Sequence, residues 1–536
     1  MSELDVAIIG AGPAGLSAAI EVASRGCTVS LLDLNTEVGG QLIKQIHKFF
    51  GSRAHHAGVR GVDIADRLLT DARTTGVRME TACEVYAIQS GFALTVARRR
   101  RSADQNRPSV AQSESALRGS EMITCRRLIL ATGGLENSIA FPGWTLPGVM
   151  GAGAAQTMAN LWRVRPGRRA LIVGSGNVGL IVAYQLLQAG VDVAAVVEGA
   201  SSLGGYSVHA AKIQRAGVPV LTSHTVIRAS GVRRVQAATV AALDERWKPV
   251  AGSEQQLDAD TICVAVGLRP NARLALLAGC QMSHVPTIGG WLPDYDVSTM
   301  ETSVPGLYIA GDLAGIEEAS IAMEEGRLAG IAAAASLGRA QRADNRQMEE
   351  IHHQLGELRG MPPHPVGYSA GSQSKTVSDR TGQASDGSGL DSARKRSLAG
   401  PVAVIDCVQP IPCNPCEAAC PLNAIHVGRP ITNVPVLDDA RCIGCGKCIS
   451  ACPGLAIRVV DSSSDGDRGT VSFPFEWHPL PSIGEHIKPV DAQGNVLGEG
   501  IVKSVQVPRG SDRTPVVSIS VPKGLTHEVR SIRRNG

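Results

Sequence analysis

Aromatic residues are scarce in this 536-residue sequence, because Phe, Trp and Tyr together make up only 3% of it. So few rings argue against an all-β sandwich with an aromatic core. Lys and Arg number 52 and Asp and Glu number 49, so no charge excess favours nucleic acid or an anionic membrane. No run reaches the roughly eighteen apolar residues of a conventional membrane span.

Cysteine is unevenly distributed, and the distribution limits the chemistry. Eight of the 13 cysteines fall between Cys407 and Cys452, and the other five are scattered. The sequence opens on a strand-like segment, Asp5 to Ile9, which leaves no room for the charged and apolar regions of a secretion signal. We therefore expect a cytoplasmic protein whose clustered thiols bind metal rather than form disulfides.

Glycine, in contrast, is abundant, at 60 residues or about 11% against a usual ~7%. Residues 4–338 alternate short Val/Ile/Leu/Ala runs with longer helical patterns, which is typical of parallel α/β sheets. A charged helix is predicted over 340–358, and the Ser-, Gly- and Asp-rich segment 361–399 is predicted to be a disordered linker. A polar insertion at 98–120 is predicted to be a loose, solvated hairpin.

The first glycine-rich motif occupies residues 10–15, between a predicted strand and a predicted helix. Gly10 permits a tight turn, Gly12 lets the backbone approach a pyrophosphate, and Gly15 lets the helix pack on the strand. The next strand ends in Asp33, 21 residues after Gly12, where a carboxylate can bind a ribose diol. Together these features favour a dinucleotide site over a simple tight turn.

A second motif of the same kind begins at Gly174 and continues through Gly176 and Gly179. The following strand ends in Glu198, 22 residues after Gly176. An acid at this position favours a free 2′-hydroxyl, and therefore NAD over NADP. The alternative is a second Rossmann-like fold without a working nucleotide site, since a fold does not guarantee a function.

The cysteine-rich region contains two similar runs. Residues 442–453 fit C-x2-C-x2-C-x3-C-P, and residues 407–421 repeat the pattern with a longer first gap. The module resembles a bacterial two-cluster [4Fe–4S] ferredoxin domain, in which the fourth Cys of each run ligates the other cluster. We therefore assign the ligands as follows: cluster 1 to Cys407, Cys413, Cys416 and Cys452, and cluster 2 to Cys442, Cys445, Cys448 and Cys420.

Two alternatives to this assignment stay open. A structural zinc module of Cys₄ type is one, although zinc does not require the doubled pattern. The other concerns Cys407, because its five-residue gap with Pro410 and Pro412 departs from the usual spacing. Cluster 1 could therefore be altered or use another ligand.

Two later segments resemble the FAD motifs of two-dinucleotide-domain flavoproteins. The first is a strand followed by a turn that carries Thr132 and Gly133, and the second is a strand that ends in Gly311 and Asp312. The resemblance implies that Asp312 binds the ribityl or pyrophosphate region, ahead of a helix starting near Ile316. The alternative for Asp312 is a helix cap, because Asp before a helix is common.

The segment 141–156, with Trp144 between two prolines, resembles the connector in alpha-type flavoprotein subunits of amine and amino-acid dehydrogenases such as sarcosine oxidase, opine oxidase, hydrogen cyanide synthase and proline dehydrogenase. Gly39, Gly40 and Gln41 match as well. The chain is thus identified as a member of the pyridine nucleotide-disulfide oxidoreductase superfamily. A proline-stiffened linker is the plainer alternative for 141–156.

The resemblance implies an α/β fold of two Rossmann-like domains, with the NAD unit inserted in the FAD unit, then an α+β ferredoxin-like domain and a small β-domain. The expected boundaries are 1–160 and 286–338 for the FAD domain, 161–285 for the NAD(P)-like domain, 339–400 for helix and linker, 401–460 for the ferredoxin-like domain, and 469–536 for the β-domain.

The five scattered cysteines form no C-x-x-C pair, which argues against thiol–disulfide exchange. They are Cys27, Cys83, Cys125, Cys263 and Cys280.

Three functions stay open, and no residue is singled out as catalytic. The first is the FAD and iron–sulfur subunit of an amine or amino-acid dehydrogenase complex, whose partners would be a small electron carrier and a second flavoprotein that oxidises the substrate. The second is an NAD(P)H:ferredoxin-type oxidoreductase, and the third is a non-catalytic scaffold. His47, His55 and His56 are expected near the flavin or, equally, on the surface.

Overall fold

A computed structural model describes residues 4–99, 117–285, 290–360, 388–509 and 512–533 of the chain. The chain divides into two compact units, each assembled from separate segments. The first unit comprises Met1–Gln45, Gly61–Leu135 and Leu268–Ser374, and the second comprises Ile46–Arg60, Glu136–Gly267 and Lys375–Gly536. In the described ranges, no helix is both long enough and apolar enough to cross a membrane.

A seven-stranded sheet forms the core of the first unit. Its central strand, Leu4–Ile9, is apolar and buried, and it pairs in parallel with Val29–Leu32 and Leu117–Leu130. The strands follow in the spatial order Arg78–Glu80, Val29–Leu32, Leu4–Ile9, Leu117–Leu130, Ala93–Arg99 and Cys83–Gln89, and Leu307–Ile309 also pairs with Leu117–Leu130. The predicted insertion at 98–120 lies largely outside the described residues, and its flanking strands pair antiparallel, as in a hairpin.

Helices cover this sheet. Helix Pro13–Ser24 begins with Pro at its first turn and packs on helix Ala319–Ser336, where Gly326 and Gly330 allow close approach to the backbone of Ala14 and Ala18. The helix expected over 340–358 spans Asp344–Arg359. The remaining helical segments and short ladders are Leu42–Lys44, Gly61–Thr74, Arg273–Leu277 and Gly311–Leu313, with Gly134–Glu136 paired to Leu268–Pro270 and Met282–Val285 paired to Gly290–Pro293.

The second unit contains a five-stranded parallel sheet with the Rossmann-like crossover pattern. Its strands follow in the order Val220–Thr222, Asp192–Glu198, Arg169–Val173, Thr261–Val264 and Val149–Gly151. An antiparallel sheet of His224–Ser230, Ala237–Ala242 and Gln255–Asp258 adjoins it. The associated helices are Ala152–Gln156, the π-helix Thr157–Leu161, Asn177–Gln188 and Ser207–Gln214.

A six-stranded antiparallel sheet completes the second unit and differs from the expected domain boundary. Strand Ile457–Asp461 of the cysteine-rich region pairs with Arg468–Pro474, so one sheet runs across the interval between 401–460 and 469–536. Its strands are Val402–Ile405, Ile457–Asp461, Arg468–Pro474, Val516–Pro522, Gly500–Gln506 and His486–Ile487.

The remaining elements of the second unit are short. They are the ladders Ile425–His426 with Val436–Leu437 and Pro489–Val490 with Ser531–Ile532, and the helices Arg53–His55, Ser388–Ser397, Pro415–Ala419, Lys447–Ala451 and Lys523–Leu525. Helix Ser388–Ser397 lies in the segment predicted to be a disordered linker, of which residues 361–387 lie outside the described ranges. Ala393 and Ser397 are buried, so packing offsets the weak helix propensity of this segment.

A buried ion pair joins helix Asp344–Arg359 to the C-terminal end of helix Pro13–Ser24 within the first unit. Arg25 Nη2 donates to Asp344 Oδ1 at 2.8 Å and its Nη1 to Glu21 Oε2 at 2.6 Å, and the Arg25 and Asp344 side chains are only 2% and 6% exposed. Despite burial, the hydrogen bonds from Arg25 hold the pKa of Asp344 below its ordinary value. The pair therefore stabilises the fold at neutral pH and is lost as pH falls through that lowered pKa.

We expect Asp344→Ala to lower the free energy of unfolding of the first unit by about 1–3 kcal/mol at pH 7, because Arg25 loses a charged partner while keeping Glu21. Urea unfolding followed by circular dichroism measures the change. Asp66→Ala, at an exposed position of helix Gly61–Thr74, serves as the matched control. Equal unfolding midpoints for the two variants would show that the ion pair contributes nothing.

Candidate functional site: two nucleotide loops and an eight-cysteine module

The first glycine loop joins strand Leu4–Ile9 to helix Pro13–Ser24. A Cβ on Gly10 would lie 2.1 Å from Ala131 O, and one on Gly15 would lie 1.8 Å from Gly10 O, so both positions require glycine. A Cβ on Gly12 would have only the Gly40 Cα within 4 Å, at 3.9 Å. The loop therefore packs tightly on the protein side and stays open at Gly12, where a phosphate can approach the helix N-terminus.

Residues from two other segments lie beside this loop. The Ala11 N–H donates to Asp33 Oδ2 at 2.6 Å, which places the predicted ribose-binding acid at the loop. Gly39 N–H donates to Ala11 O at 2.8 Å. Gly40 has φ +55°, and its Cβ would lie 2.7 Å from the Gly12 Cα, while the adjacent Gln41 is exposed. The structure thus brings these predicted FAD residues together.

The late FAD motif lies at the end of the same sheet. Strand Leu307–Ile309 pairs with the end of Leu117–Leu130, and Gly134 N–H donates to the Asp312 carboxylate. Burial and the nearby Glu317 raise the pKa of Asp312 to about 6. Thr132 Oγ1 donates to Asn271 O at 2.8 Å, Gly133 has φ +72°, and Gly311 N–H donates to Glu325 Oε2 at 2.9 Å.

The helix-cap alternative for Asp312 is wrong. Asp312 lies inside the 3-10 turn Gly311–Leu313, and the following helix begins at Ala319 with Glu318 at its N-cap, not near Ile316. The carboxyl group therefore has no capping role and accepts a hydrogen bond from Gly134 N–H, at the start of strand Gly134–Glu136.

The second glycine loop repeats the geometry of the first. A Cβ on Gly174 would lie 2.2 Å from Ala265 O, one on Gly179 would lie 2.1 Å from Gly174 O, and one on Gly176 would meet nothing within 4 Å. Both the backbone N–H and the hydroxyl of Ser175 donate to Glu198 Oε2 at 2.8 Å. The four predicted residues of this site therefore occupy one loop and the strand end beside it.

Sequence reasoning missed a glycine pair that covers the second loop. Gly204 N–H donates to Ser175 Oγ at 3.0 Å, and a Cβ on Gly205 would lie 2.8 Å from Asn177 N. Gly204 follows Glu198 by six residues, the same spacing that separates the acid from the glycine pair in the first domain. This equal spacing could have revealed the second glycine pair from the sequence. It also shows that the two loops have the same local arrangement.

Four of the predicted iron–sulfur ligands line a single recess of about 370 Å³, and they are the cluster 2 set Cys420, Cys442, Cys445 and Cys448. The Ala424 and Ala403 N–H groups face the sulfurs of Cys420 and Cys442 at 3.2 and 3.4 Å. Sulfurs around an open recess, with amide donors beside them, fit a [4Fe–4S] cluster, because each thiolate binds a different iron.

The cluster 1 cysteines also lie together, and they include Cys407 despite its longer gap. All four belong to one apolar core or pack against it. Burial and the neighbouring Cys452 raise the pKa of Cys407 to about 12, and burial with the other three thiols raises the pKa of Cys413 well above its ordinary value. Such thiols ionise together only when a cation compensates their charge, as iron does.

A single-ion site of zinc type finds no support in the described part of the chain. There, no three His, Cys, Asp or Glu side chains come close enough together to hold one ion. A tetrahedral zinc site needs four ligands within about 2.0–2.3 Å of the metal, whereas a cluster spreads its ligands over four irons.

The predicted histidines lie in segment Ile46–Arg60 of the second unit. His55 is only 2% exposed, so the surface alternative is wrong for this residue, and its Nδ1 lies 3.0 Å from Ser52 Oγ. Desolvation and the nearby Lys212 lower the pKa of His47 to about 3. His56 has a left-handed backbone, at φ 56°.

The five scattered cysteines are buried and form no disulfide. Cys125 and Cys263 lie in sheet strands and are 1% and 0% exposed, as expected of small core residues. Burial raises the pKa of Cys83 to about 11, so this thiol does not ionise at neutral pH. None of these residues forms a redox pair beside the flavin motifs.

Two protein-family models match the chain. The model described as pyridine nucleotide-disulphide oxidoreductase matches residues 4–326, and the 4Fe-4S dicluster domain matches residues 407–465. The first match includes both glycine loops and the Gly311–Asp312 motif, and it implies FAD as a cofactor. The second includes all eight clustered cysteines and implies two [4Fe–4S] clusters.

Several curated proteins resemble the same part of the chain. An opine oxidase subunit of Agrobacterium tumefaciens (strain Ach5) is 29% identical over 62% of this chain and 66% of its own length. The hydrogen cyanide synthase subunit HcnB of Pseudomonas aeruginosa is 31% identical over 60% and 69%. The alpha subunit of sarcosine oxidase from Corynebacterium sp. (strain P-1) is 30% identical over 62% and 33%. The match thus spans between one third and about two thirds of each relative.

Among solved structures, the L-proline dehydrogenase of P. horikoshii aligns with a TM-score of 0.49 and 21% identity, over 68% of this chain and 60% of that one. The family model itself covers more than half of the chain and includes both nucleotide loops. The protein therefore belongs to the pyridine nucleotide-disulphide oxidoreductase family.

Proposed function

We propose that this protein is the electron-transferring flavoprotein subunit of an amine or amino-acid dehydrogenase complex, with a sarcosine-, opine- or proline-like substrate. The observation that carries the proposal is one chain that combines a flavin-type nucleotide loop with eight clustered cysteines and lacks a disulfide redox pair. When bound, FAD would accept an electron pair that the partner subunit removes from the amine, and each of the two [4Fe–4S] clusters would carry one electron.

In this proposal, the residues of the first loop hold FAD. The N–H groups beside Gly12 bind the pyrophosphate, Asp33 binds the adenosine ribose, and Gly40 permits the close approach of its segment. Asp312, with a pKa raised to about 6, binds the ribityl or pyrophosphate region. The cluster ligands are the two cysteine sets defined above.

The position of segment Ile46–Arg60 supports cluster 1 as the first acceptor. This segment begins five residues after Gln41, in the flavin-binding part of the sequence. Within the second unit it runs beside the cluster 1 cysteines, since Asn414 N–H donates to Gly51 O at 3.1 Å and Gly51 forms a β-bridge with Cys413. The exposed Cys445 would help hold cluster 2, which would then be the exit point for electrons to a partner.

The partners proposed are a second flavoprotein subunit that oxidises the amine and a small electron carrier that accepts the electrons. The names of the three relatives describe each as a subunit, which supports a multi-subunit assembly here. We propose a cytoplasmic location for the complex. Copurification from the native host, followed by a screen of amino-acid substrates, tests this assignment.

An NAD(P)H:ferredoxin-type oxidoreductase is the second candidate. It is favoured by the geometry of the second loop, where Glu198 accepts two hydrogen bonds from Ser175 and Gly176 is open to a ligand. An acid at this strand end favours NAD over NADP.

Gly12→Ala tests the flavin site without disturbing the fold, because the added Cβ would meet nothing closer than 3.9 Å in the protein. We expect the variant to fold and to bind FAD at least about tenfold more weakly, since the methyl group occupies the space of the pyrophosphate. FAD titration by fluorescence quenching measures the loss. Gly466→Ala, where a Cβ also meets nothing, is the control, and equal FAD affinity in both variants would contradict the assignment.

Anaerobically purified protein is expected to carry about eight iron atoms per chain, four for each cluster. Cys413→Ser and Cys407→Ser should each lower the iron content toward about four, because each removes a ligand of cluster 1. Cys280→Ser changes a lone buried cysteine and should retain the parent content. Iron near four in the parent, or zinc in place of iron, would refute the two-cluster proposal.

Anaerobic mixing with NADH separates the two candidate functions. An electron-transferring subunit should keep its flavin absorbance in NADH and lose it only with an amine and the substrate-oxidising partner. Rapid bleaching by NADH would establish the oxidoreductase instead, and Gly176→Ala, which is sterically tolerated, should then abolish it. A chain that fails to bind FAD, or that no amine reduces when the partner is present, would be a scaffold.

A further inference from the structure

The two cysteine–proline loops of the iron–sulfur module have matching backbones. Asn423 and Leu455, each three residues after the fourth Cys of its run, both adopt left-handed φ values of 47° and 51°. The N–H groups of the next residues, Ala424 and Ala456, donate to the sulfurs of Cys420 and Cys452 at 3.2 and 3.5 Å. Any large difference between the two loops therefore comes from their surroundings.

Cationic side chains surround the loop that contains Cys452. Lys212 Nζ donates to Pro453 O at 2.8 Å, and Arg215 Nη2 donates to Leu455 O at 3.1 Å. Lys48 Nζ donates to Ser450 O, in helix Lys447–Ala451, which ends just before Cys452. Lys48 and Lys212 are each only 3% exposed. We call Lys48, Lys212 and Arg215 the cationic cradle.

Nearby carboxylates do not cancel this charge. Glu476 faces the two lysines, but its Oε1 accepts hydrogen bonds from Arg60 Nη2 at 3.0 Å and from Thr514 Oγ1 at 2.6 Å. Arg60 also pairs with Asp512, so one arginine offsets part of the charge of the two acids near the lysines. Asp406, which acts on Arg215, is itself paired with Arg458 and Arg530. With all of these groups counted, the cationic cradle leaves a net positive charge beside Cys452.

The equivalent loop after Cys420 has a different environment. Its residues Pro421, Leu422 and Asn423 are exposed to solvent, whereas Pro453 and Leu455 are buried. Charge–charge interactions are several times stronger in a protein interior than in water. The reduction potential of an iron–sulfur cluster depends on nearby charge, on hydrogen bonds to its sulfurs and on solvent exposure.

We propose that Lys48, Lys212 and Arg215 raise the reduction potential of cluster 1 above the value it would have without them. They are positioning residues that act through the Cys452 loop, where buried positive charge stabilises the additional electron of the reduced state. Reduction would add one electron, supplied by the flavin, to the cluster, with no bond formed or broken at the three side chains. The inference rests on the proposed function, because it requires both clusters to be present.

The test compares Lys212→Met, Lys48→Met and their double variant with the parent, using anaerobic redox titration of the full chain monitored by EPR. The potential assigned to cluster 1 should shift to more negative values in each single variant and further in the double variant, while that of cluster 2 stays near the parent value. Lys212→Arg keeps the positive charge, so its cluster 1 potential should stay close to the parent value. Lys503→Met, at an exposed position, removes the same charge and should leave both potentials unchanged.

The Cys413→Ser variant identifies which EPR signal belongs to cluster 1. Unchanged cluster 1 potentials in iron-replete lysine variants, or a shift confined to cluster 2, would overturn the inference. Should Lys212→Met lose iron, Lys48→Met supplies the same measurement from a separate contact near Cys452. An iron content that does not correspond to two clusters contradicts the proposed function. Two intact clusters with unchanged potentials contradict only the proposal that the cationic cradle raises the potential of cluster 1.

Discussion

The need to balance the charge of clustered thiols underlies the organisation of the second unit. The four cluster 1 cysteines lie in or against one apolar core and cannot all ionise there unless positive charge joins them, because burial and mutual repulsion raise the pKa values of Cys407 and Cys413. Iron supplies most of that charge, and we propose that the cationic cradle adds to it beside Cys452. The fold meets this requirement by placing helix Ser207–Gln214 and segment Ile46–Arg60 against the cysteine loop.

Close backbone approach is the corresponding constraint on nucleotide binding. Gly15 and Gly179 each lie so near the carbonyl of the first loop glycine that no side chain fits, and this contact brings each helix N-terminus to the end of its strand. The same glycine contacts occur in both loops, and a glycine pair covers each of them. In one chain, therefore, two glycine-rich loops and two cysteine runs each repeat a local motif.

Local motifs were predictable from the sequence because spacing alone reveals them. The glycine triplets, the acids at the strand ends and the cysteine runs each lie within a few residues of one another, and the structure brings each set together. Gly204 and Gly205 were overlooked although their spacing from Glu198 repeats that of the first domain. The cationic cradle could not be predicted, since Lys48, Lys212 and Ser450 are far apart in sequence and meet only through tertiary packing. Helix Ser388–Ser397 and the sheet shared by 401–460 and 469–536 also depend on such long-range contacts.

The central claim is that one chain stores electrons in a flavin and two clusters, without a disulfide. Anaerobic reductive titration of the full chain with dithionite tests it most directly, because the number of electrons accepted counts the redox groups. The account predicts about four electrons per chain, two for the flavin and one for each cluster. A chain that accepts only two electrons, with no EPR signal from a reduced cluster, would contradict it.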